Sequence, residues 1–330
     1  MTYKFLGQTG VKVSALCFGT MTFGKESDEE TSAAVFRACR EAGINFFDCA
    51  DIYAGGKSEE ILGRLIRDCR DEVVITSKVY FPSGPDVNAS GASRYHIRAA
   101  VEASLKRLDT DRIDVYFIHR FDDRTPLEET FRALDDLVRQ GKILYTGASN
   151  FAAWQVEKAL GVQACHDWSP LAVIQPMYNL LKRQAESEIL PMAQAENLGV
   201  ITYSPLGGGM LSGKYGVGKR PDVGRMNEHK IYQARYADAW MWETADRFTA
   251  FARERGDHPA SLAVAWVAGH PVVTAPIVGA RNVEQLRAAV AAMDIAMTPD
   301  LRCEISSLTP EPAPATDRNE ERTELRFFIR

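Results

Sequence analysis

The chain has 330 residues, of which 45% are hydrophobic and 25% charged, and its formal net charge at pH 7 is −5. This composition is ordinary for a soluble globular protein, and the negative charge argues against a nucleic-acid-binding protein and a basic membrane-binding surface. The six cysteines form no C-x-x-C pair, and the N-terminus lacks an apolar signal segment. We therefore expect reduced thiols and a cytoplasmic protein without a membrane span.

The first predicted element is a short hairpin, with strands at 3–6 and 11–13 around a Gln8-Thr9-Gly10 turn. Apolar, β-branched runs then alternate with helical patterns along the chain. Strands are predicted at 16–19, 46–48, 73–78, 113–118, 143–147, 172–175, 200–203 and 272–278. Helices are predicted at 28–42, 59–67, 94–108, 126–140, 152–160, 185–197, 242–255, 259–269 and 283–293. A long irregular segment is expected at 207–238, and a charged surface tail at 313–330.

Eight strand–helix units without a linker predict an α/β fold, a single (β/α)8 TIM barrel over residues 1–330. The N-terminal β-hairpin is expected to cap the bottom of this barrel. A doubly wound sheet is the alternative, but it requires a G-x-G-x-x-G motif after the first strand. The segment Gly19-Thr20-Met21-Thr22-Phe23-Gly24 does not have that spacing.

Four ionisable side chains lie at or just beyond the predicted ends of three consecutive strands. Asp48 ends the second strand and Tyr53 follows it, Lys78 ends the third, and His119 follows the fourth. Strand ends of a barrel surround one mouth, where active sites are built. An Asp48–Lys78 pair beside Tyr53 is expected to lower the phenol pKa from ~10, which makes Tyr53 a general acid. His119 is expected to hold a carbonyl oxygen, so the set suits protonation of an oxyanion as a hydride arrives.

With these residues the chain resembles the aldo-keto reductase family, from the hairpin to about residue 307. The resemblance is carried by DCADIY at 48–53, Lys78, His119, GASN at 147–150, QPMYN at 175–179, YSPL at 203–206 and GAR at 279–281. The chain is most similar to the branch of microbial reductases and potassium-channel-β-like members, which share the S-P-L-x-x-G-x-x-x-G-K-Y motif at 204–215. The resemblance implies NADPH-dependent reduction of an aldehyde or ketone, with Asp48, Tyr53, Lys78 and His119 as the catalytic residues.

The resemblance also implies a site for NADPH or NADP+, with NADH less favoured. The residues implied at its nicotinamide end are Gly19, Thr20, Ser149, Asn150, Gln175 and the stacking ring of Tyr203. Those implied along the phosphates and adenosine are Ser204, Leu206, Gly207, Gly209, Lys214, Arg225, Gly279, Arg281 and Gln285. Arg281 would contact the 2′-phosphate. Ala288 and Ala289 stand where a Glu-Asn pair often contacts adenine, so the preference over NAD is expected to be smaller.

Aromatic residues flank the strand ends and predict an apolar pocket for a small-molecule carbonyl substrate. They are Phe23, Tyr80, Phe81, Phe121 and Trp240. No metal site is predicted, because the histidines lack ligand spacing. Whether the protein is a monomer or a homo-oligomer stays open.

Two other functions are compatible with parts of the sequence. One is a cofactor-binding regulatory or redox-sensing subunit resembling the potassium-channel β proteins, which often carry Asn where His119 stands. The other is an aldolase that forms a Schiff base on Lys78, which the predicted pairing with Asp48 opposes.

Overall fold

In the computed structural model, which describes residues 1–222, 224–318 and 320, eight parallel strands pair in chain order and close into a barrel. They are β3 (Cys17–Gly19), β4 (Phe46–Asp48), β5 (Val74–Val79), β6 (Ile113–Ile118), β7 (Ile143–Ser149), β8 (Leu171–Gln175), β9 (Gly199–Thr202) and β10 (Ala275–Val278). Pairing of β10 with β3 completes the ring. Six consecutive residues of β6 are buried, as expected where one strand face lines the barrel interior and the other meets helices. The predicted (β/α)8 barrel is confirmed.

The N-terminal hairpin consists of β1 (Tyr3–Phe5) and β2 (Lys12–Ser14), which pair antiparallel. Leu6 and Val13 are fully buried in the cluster that fills the barrel interior. A Cβ at Gly7, which has φ +58°, would lie 2.4 Å from the backbone nitrogen of Gly199 at the start of β9. The hairpin therefore caps the end of the barrel where the strands begin, as predicted.

Helices cover the outside of the barrel and the connections at its mouth. They are α1 (Glu29–Glu41), α2 (Lys57–Ile66), α3 (Arg94–Leu108), α4 (Leu127–Arg139), α5 (Ala153–Cys165), α6 (Ile189–Ala195), α7 (Arg225–Glu228), α8 (Lys230–Arg235), α9 (Ala239–Glu254), α10 (Pro259–Ala268), α11 (Val283–Val290) and α12 (Pro299–Ser306). Asp28 and Ser93 accept hydrogen bonds from backbone N–H groups in the first turns of α1 and α3, which explains where these helices begin. None of the described helices is long and apolar enough to cross a membrane.

Several predicted boundaries were wrong. The segment 207–238 is not irregular throughout, because it contains the 3-10 turn Gly207–Ser212 and the short helices α7 and α8. The predicted helix at 185–197 is reduced to α6, after the separate 3-10 turn Gln184–Glu186. The last strand starts at Ala275 rather than 272, and α12 was not predicted. Of the predicted tail 313–330, residues 319 and 321–330 lie outside the described residues.

Candidate active site

A buried ion pair lies at the carboxyl ends of β4 and β5. Lys78 Nζ donates to Asp48 Oδ2 at 2.6 Å, to the carbonyl oxygen of Cys49 at 2.7 Å and to Tyr53 Oη at 3.3 Å. Lys78 is fully buried and Asp48 nearly so, whereas Tyr53 is partly exposed at the mouth. The strand ends therefore bring together the acid, the ammonium and the phenol.

Asp48 receives further donors from strands on both sides of the barrel. Thr76 Oγ1 donates to Asp48 Oδ1 at 2.7 Å, and Gln175 Nε2 donates to the same oxygen at 2.8 Å. A buried ion pair is favourable only when its remaining lone pairs are satisfied, and these two contacts meet that condition. The pair is thus held in one geometry beneath Tyr53.

The predicted lowering of the Tyr53 pKa is wrong for this structure. Burial raises the pKa of the Tyr53 phenol to about 12, and the Lys78 ammonium offsets only part of that rise. Burial also acts to lower the pKa of Lys78, but its contacts with Asp48 and Tyr53 outweigh burial and hold that pKa above its ordinary value. Near neutral pH, Tyr53 therefore keeps its proton and Lys78 keeps its charge.

His119 follows β6 and lies beside Tyr53, with ring centroids 6.2 Å apart. Burial and the Lys78 charge hold the pKa of His119 well below its usual value, so the imidazole is neutral. Its Nδ1 is buried without a hydrogen-bond partner in the part of the chain that the structure describes. A neutral imidazole carries one N–H donor, which suits a hydrogen bond to a carbonyl oxygen.

Asn150 joins the ends of three strands. It has a left-handed φ of 57°, which Asn tolerates better than most residues. Its Nδ2 donates to the carbonyl oxygen of His119 at 2.9 Å, and its Oδ1 accepts from Tyr203 Oη at 2.7 Å. Ser149 Oγ donates to the carbonyl oxygen of Gln175 at 3.0 Å. Residues predicted for the carboxamide and the stacking ring therefore lie on the same side of the mouth.

The other positions predicted near the nicotinamide lie at the end of β3. Gly19 is paired in register with Asp48. A Cβ on Gly19 would lie 2.8 Å from Ile277 Cγ2, so the backbone there is closely packed. Thr20 is fully buried, and its Oγ1 donates to the carbonyl oxygen of Asp48 at 3.1 Å.

The segment after β9 has a backbone that only glycine adopts easily. Ser204 has a φ of 59°, and Gly207, Gly208 and Gly209 have φ values of 57°, 68° and 106°. Such conformations let backbone N–H groups approach a ligand closely, which phosphate-binding loops require. Leu206, half-buried, precedes the three glycines.

Cations predicted for the phosphates lie along the 207–238 segment and after β10. Lys214 is exposed, and Arg225 Nη1 donates to Tyr232 Oη at 3.4 Å. Arg281 pairs with Glu228 of α7 at 3.4 Å. Its backbone N–H donates to Gln285 Oε1 at 3.0 Å, which links it to α11. Gly279 is exposed two residues before Arg281.

Aromatic side chains predicted for the substrate pocket divide into three groups. Phe23 is fully buried and packs on Phe18 with centroids 5.7 Å apart, which removes it from the surface of the mouth. Tyr80 and Phe81 pack edge to face, and Phe81 meets His119 at 4.9 Å. The remaining predicted residues, Phe121 and Trp240, are partly buried.

Trp154 of α5 was missed by the sequence analysis, although it packs on Phe121 at 5.9 Å and is 60% exposed. Its position four residues after Asn150, which follows a strand end, was the signal in the sequence that could have placed Trp154 at the mouth.

Two buried acidic side chains close to Tyr53 in the sequence, Asp51 and Glu59, were also missed. Both carboxyl oxygens of Asp51 are buried without a hydrogen-bond partner within the described residues. Burial, together with the Glu59 charge, raises the pKa of Asp51 to about 7. Glu59 is fully buried and pairs with Arg107 at 2.7 Å. Among the described residues, no group of three or more His, Cys, Asp or Glu side chains could hold a metal ion.

The closed barrel and the polar strand ends at its mouth define the class as (β/α)8-barrel enzymes that act at the carboxyl ends of their strands. The aldo/keto reductase family model matches residues 15–308, and the chain belongs to this family. It is an oxidoreductase of the carbonyl-reducing kind, and the resemblance inferred from the motifs is confirmed.

Relatives with different names match nearly the whole chain. An uncharacterised oxidoreductase of Bacillus subtilis, YrpG, is 38% identical over 96% of this chain and 98% of the relative. A probable voltage-gated potassium channel subunit beta of Arabidopsis thaliana is also 38% identical, over 89% of this chain and 92% of its own. L-glyceraldehyde 3-phosphate reductase of Escherichia coli K12 is 33% identical, over 89% of this chain and 88% of its own.

Proposed function

We propose that the protein reduces an aldehyde or ketone to the alcohol with NADPH, and that Tyr53 is the general acid. The observation that carries this proposal is the 3.3 Å contact of Lys78 Nζ with Tyr53 Oη, above the buried Asp48–Lys78 pair. It joins a proton donor to a charge that stabilises the phenolate left behind, at the end of the barrel where chemistry takes place.

The residues at the mouth fit a nicotinamide dinucleotide. The Tyr203 ring is partly exposed beside Asn150 and offers a flat surface to a nicotinamide ring. The left-handed glycines at 207–209 suit a pyrophosphate, and Lys214, Arg225 and Arg281 supply positive charge for phosphates. We propose NADPH rather than NADH because Arg281 is suited to a 2′-phosphate. When bound, the reduced nicotinamide would supply the hydride.

The side chains of this chain would handle the carbonyl oxygen and its proton. Neutral His119 donates a hydrogen bond that orients the oxygen toward Tyr53. As negative charge develops on that oxygen, Tyr53 Oη transfers its proton, since an alkoxide is far more basic than a phenolate. Lys78 stabilises the phenolate until solvent returns a proton. A pKa near 12 keeps Tyr53 protonated and ready to donate throughout the neutral range.

The two alternatives find less support. A Schiff base requires a neutral amine, and the raised pKa of Lys78 keeps it charged. The regulatory subunits that the second alternative resembles often carry Asn where His119 stands, so His119 favours an enzyme that turns over.

The test is Tyr53→Phe, which removes one hydroxyl and leaves the ring in place. We expect turnover to fall about 10²–10⁴-fold, because general acid catalysis is lost, while NADPH binding stays nearly unchanged. Steady-state reduction and fluorescence titration with NADPH measure the two effects. Tyr95→Phe, at an exposed position of α3, is the matched control and should leave both unchanged. Turnover of Tyr53→Phe within a few-fold of the unmodified protein would exclude Tyr53 as the acid.

A further inference from the structure

Arg235, the last residue of α8, lies over two aromatic rings at the mouth of the barrel. Its guanidinium carbon is 6.0 Å from the centroid of Tyr203 and 5.3 Å from that of Tyr232. The side chain is only partly exposed. Among residues 1–222, 224–318 and 320, it makes no hydrogen bond or ion pair. A half-buried guanidinium commonly pairs with an acceptor, so the N–H groups of Arg235 are available to an anionic ligand.

Two neighbouring arginines are already engaged. Arg225 donates to Tyr232 Oη, and Arg281 is paired with Glu228. The Arg235 charge is nevertheless felt at the mouth. Burial raises the pKa of Tyr203, and the Arg235 guanidinium opposes that rise. The Arg235 guanidinium therefore acts electrostatically on the Tyr203 phenol.

A short path of contacts connects Arg235 with the proposed catalytic group. Tyr203 donates to Asn150 at 2.7 Å, and Asn150 donates to the carbonyl oxygen of His119 at 2.9 Å. Arg235 is thus linked through Tyr203 and Asn150 to the strand end that carries His119.

We propose that Arg235 binds an anionic group of the carbonyl substrate, a carboxylate or a phosphate. The aromatic rings hold the guanidinium plane, and its free N–H edge can form two parallel hydrogen bonds to such a group. The preferred substrates are then aldehydes or ketones that carry negative charge away from the reacting carbon. This inference rests on the proposed function, because it assigns the substrate of the same site.

The first test compares two aldehydes of nearly equal shape. The substrates are 4-carboxybenzaldehyde and its neutral methyl ester, and 4-formylphenyl phosphate tests a phosphate in the same way. In the unmodified protein we expect kcat/KM for at least one anionic aldehyde to exceed that for the ester about tenfold or more. Arg235→Gln should remove that preference, mainly through KM, and leave the ester unaffected. Arg235→Lys should retain part of it.

Two controls separate this role from others. Arg220→Gln removes a cation of the same segment that stacks on Trp242 at 4.3 Å, and it should leave the preference unchanged. NADPH titration tests whether Arg235 instead contacts the cofactor phosphates. In that case Arg235→Gln would weaken NADPH binding and would slow the reduction of all the aldehydes equally.

The outcomes are distinct. Two results would overturn the assignment of Arg235. One is that Arg235→Gln weakens NADPH binding and slows the reduction of all the aldehydes equally. The other is that the unmodified protein prefers neither anionic aldehyde over the ester. If the ester is reduced in a Tyr53-dependent reaction without any anion preference, the inference fails and the proposed function stands. If no aldehyde is reduced, both fail together.

Discussion

Lys78 is the residue on which the electrostatics of the mouth depend. It is fully buried and contacts Asp48, Tyr53 and the backbone of Cys49. Removing one partner of a buried pair leaves the other charge uncompensated, which costs more than the pair contributes. Variants that remove one or both members of the Asp48–Lys78 pair can therefore separate the effect on the free energy of unfolding from the effect on turnover.

Lys78→Met should lower both stability and turnover. Unpaired Asp48 is expected to reduce the free energy of unfolding by about 3–5 kcal/mol and to raise the Tyr53 pKa further. The double variant Asp48→Asn/Lys78→Met should recover much of the stability but not the turnover. Urea unfolding and steady-state kinetics measure the two. A double variant as unstable as Lys78→Met would contradict this account.

Asp51 should make stability depend on pH near neutrality. Its folded pKa, about 7, lies above the unfolded value of about 3.9, so the folded state holds a proton that the unfolded state releases. The contribution of Asp51 to the free energy of unfolding is therefore full below about pH 4, and it is lost as the pH rises from about 4 to about 7. Asp51→Asn should remove this fall, measured by urea unfolding between pH 4.5 and 8. The same slope in Asp51→Asn and the unmodified protein would refute it.

For single residues, the sequence predicted where the side chains of the site lie, but it did not predict how deeply each one is buried. The meeting of Asp48, Tyr53 and Lys78 follows from strand ends that share one edge of a barrel. The direction of the Tyr53 pKa did not follow, because it depends on how deeply the phenol is buried. Asp51 was missed for the same reason, since only three-dimensional packing shows that its carboxylate has no partner among the described residues.

Among the elements, α2 and α3 are joined by a buried ion pair. Glu59 of α2 is fully buried and accepts from Ser77 of β5 and Arg107 of α3. The Arg107 side chain crosses Gly56, where a Cβ would lie 2.8 Å from Arg107 Cδ. Gly56 has a φ of 92° and ends the 3-10 turn that begins at Tyr53. The pair therefore supports the turn that carries the proposed acid.

Arg107→Met should destabilise the protein by about 3–5 kcal/mol, because Glu59 keeps a buried charge without its partner. Arg107→Lys should recover part of the loss. Arg64→Met is the matched control, since Arg64 lies on α2 in an exposed pair with Glu29, where about 0–1 kcal/mol is expected. If Arg107→Met and Arg64→Met lower the free energy of unfolding equally in urea, the burial of Glu59 does not increase the cost of losing its partner.

Most helices were predictable because their apolar periodicity and first-turn caps agree. The segment 207–238 was not, since its helices α7 and α8 have four and six residues and are too short to show a period. The helix α12, Pro299–Ser306, has eight residues, and only Thr298 and Pro299 marked its start.

Across the whole molecule, the Glu228–Arg281 pair joins the 207–238 segment to the connection after β10. In the proposed complex Glu228 competes with the 2′-phosphate for the same guanidinium. The two residues therefore act on cofactor preference in opposite directions.

Arg281→Ala should reduce the ratio of the NADH Kd to the NADPH Kd about tenfold or more, since a charge-assisted contact to NADPH is lost. Glu228→Gln should widen it, because the competing carboxylate is gone. Fluorescence titrations with both nucleotides give the ratios. Equal affinity for the two nucleotides in the unmodified protein would contradict the proposed preference.

The hairpin that caps the barrel has consequences for synthesis on the ribosome. It is made before the barrel strands, but these two partners are made late: Gln8 Nε2 donates to the carbonyl oxygen of Glu196 at 2.8 Å, and Lys4 Nζ donates to that of Val273 at 2.9 Å. An isolated two-stranded hairpin is at best marginally stable in water. At ~5–20 residues per second, it waits roughly tens of seconds for these contacts. Leu6 and Val13 stay exposed to nascent-chain aggregation or chaperone capture until the barrel closes.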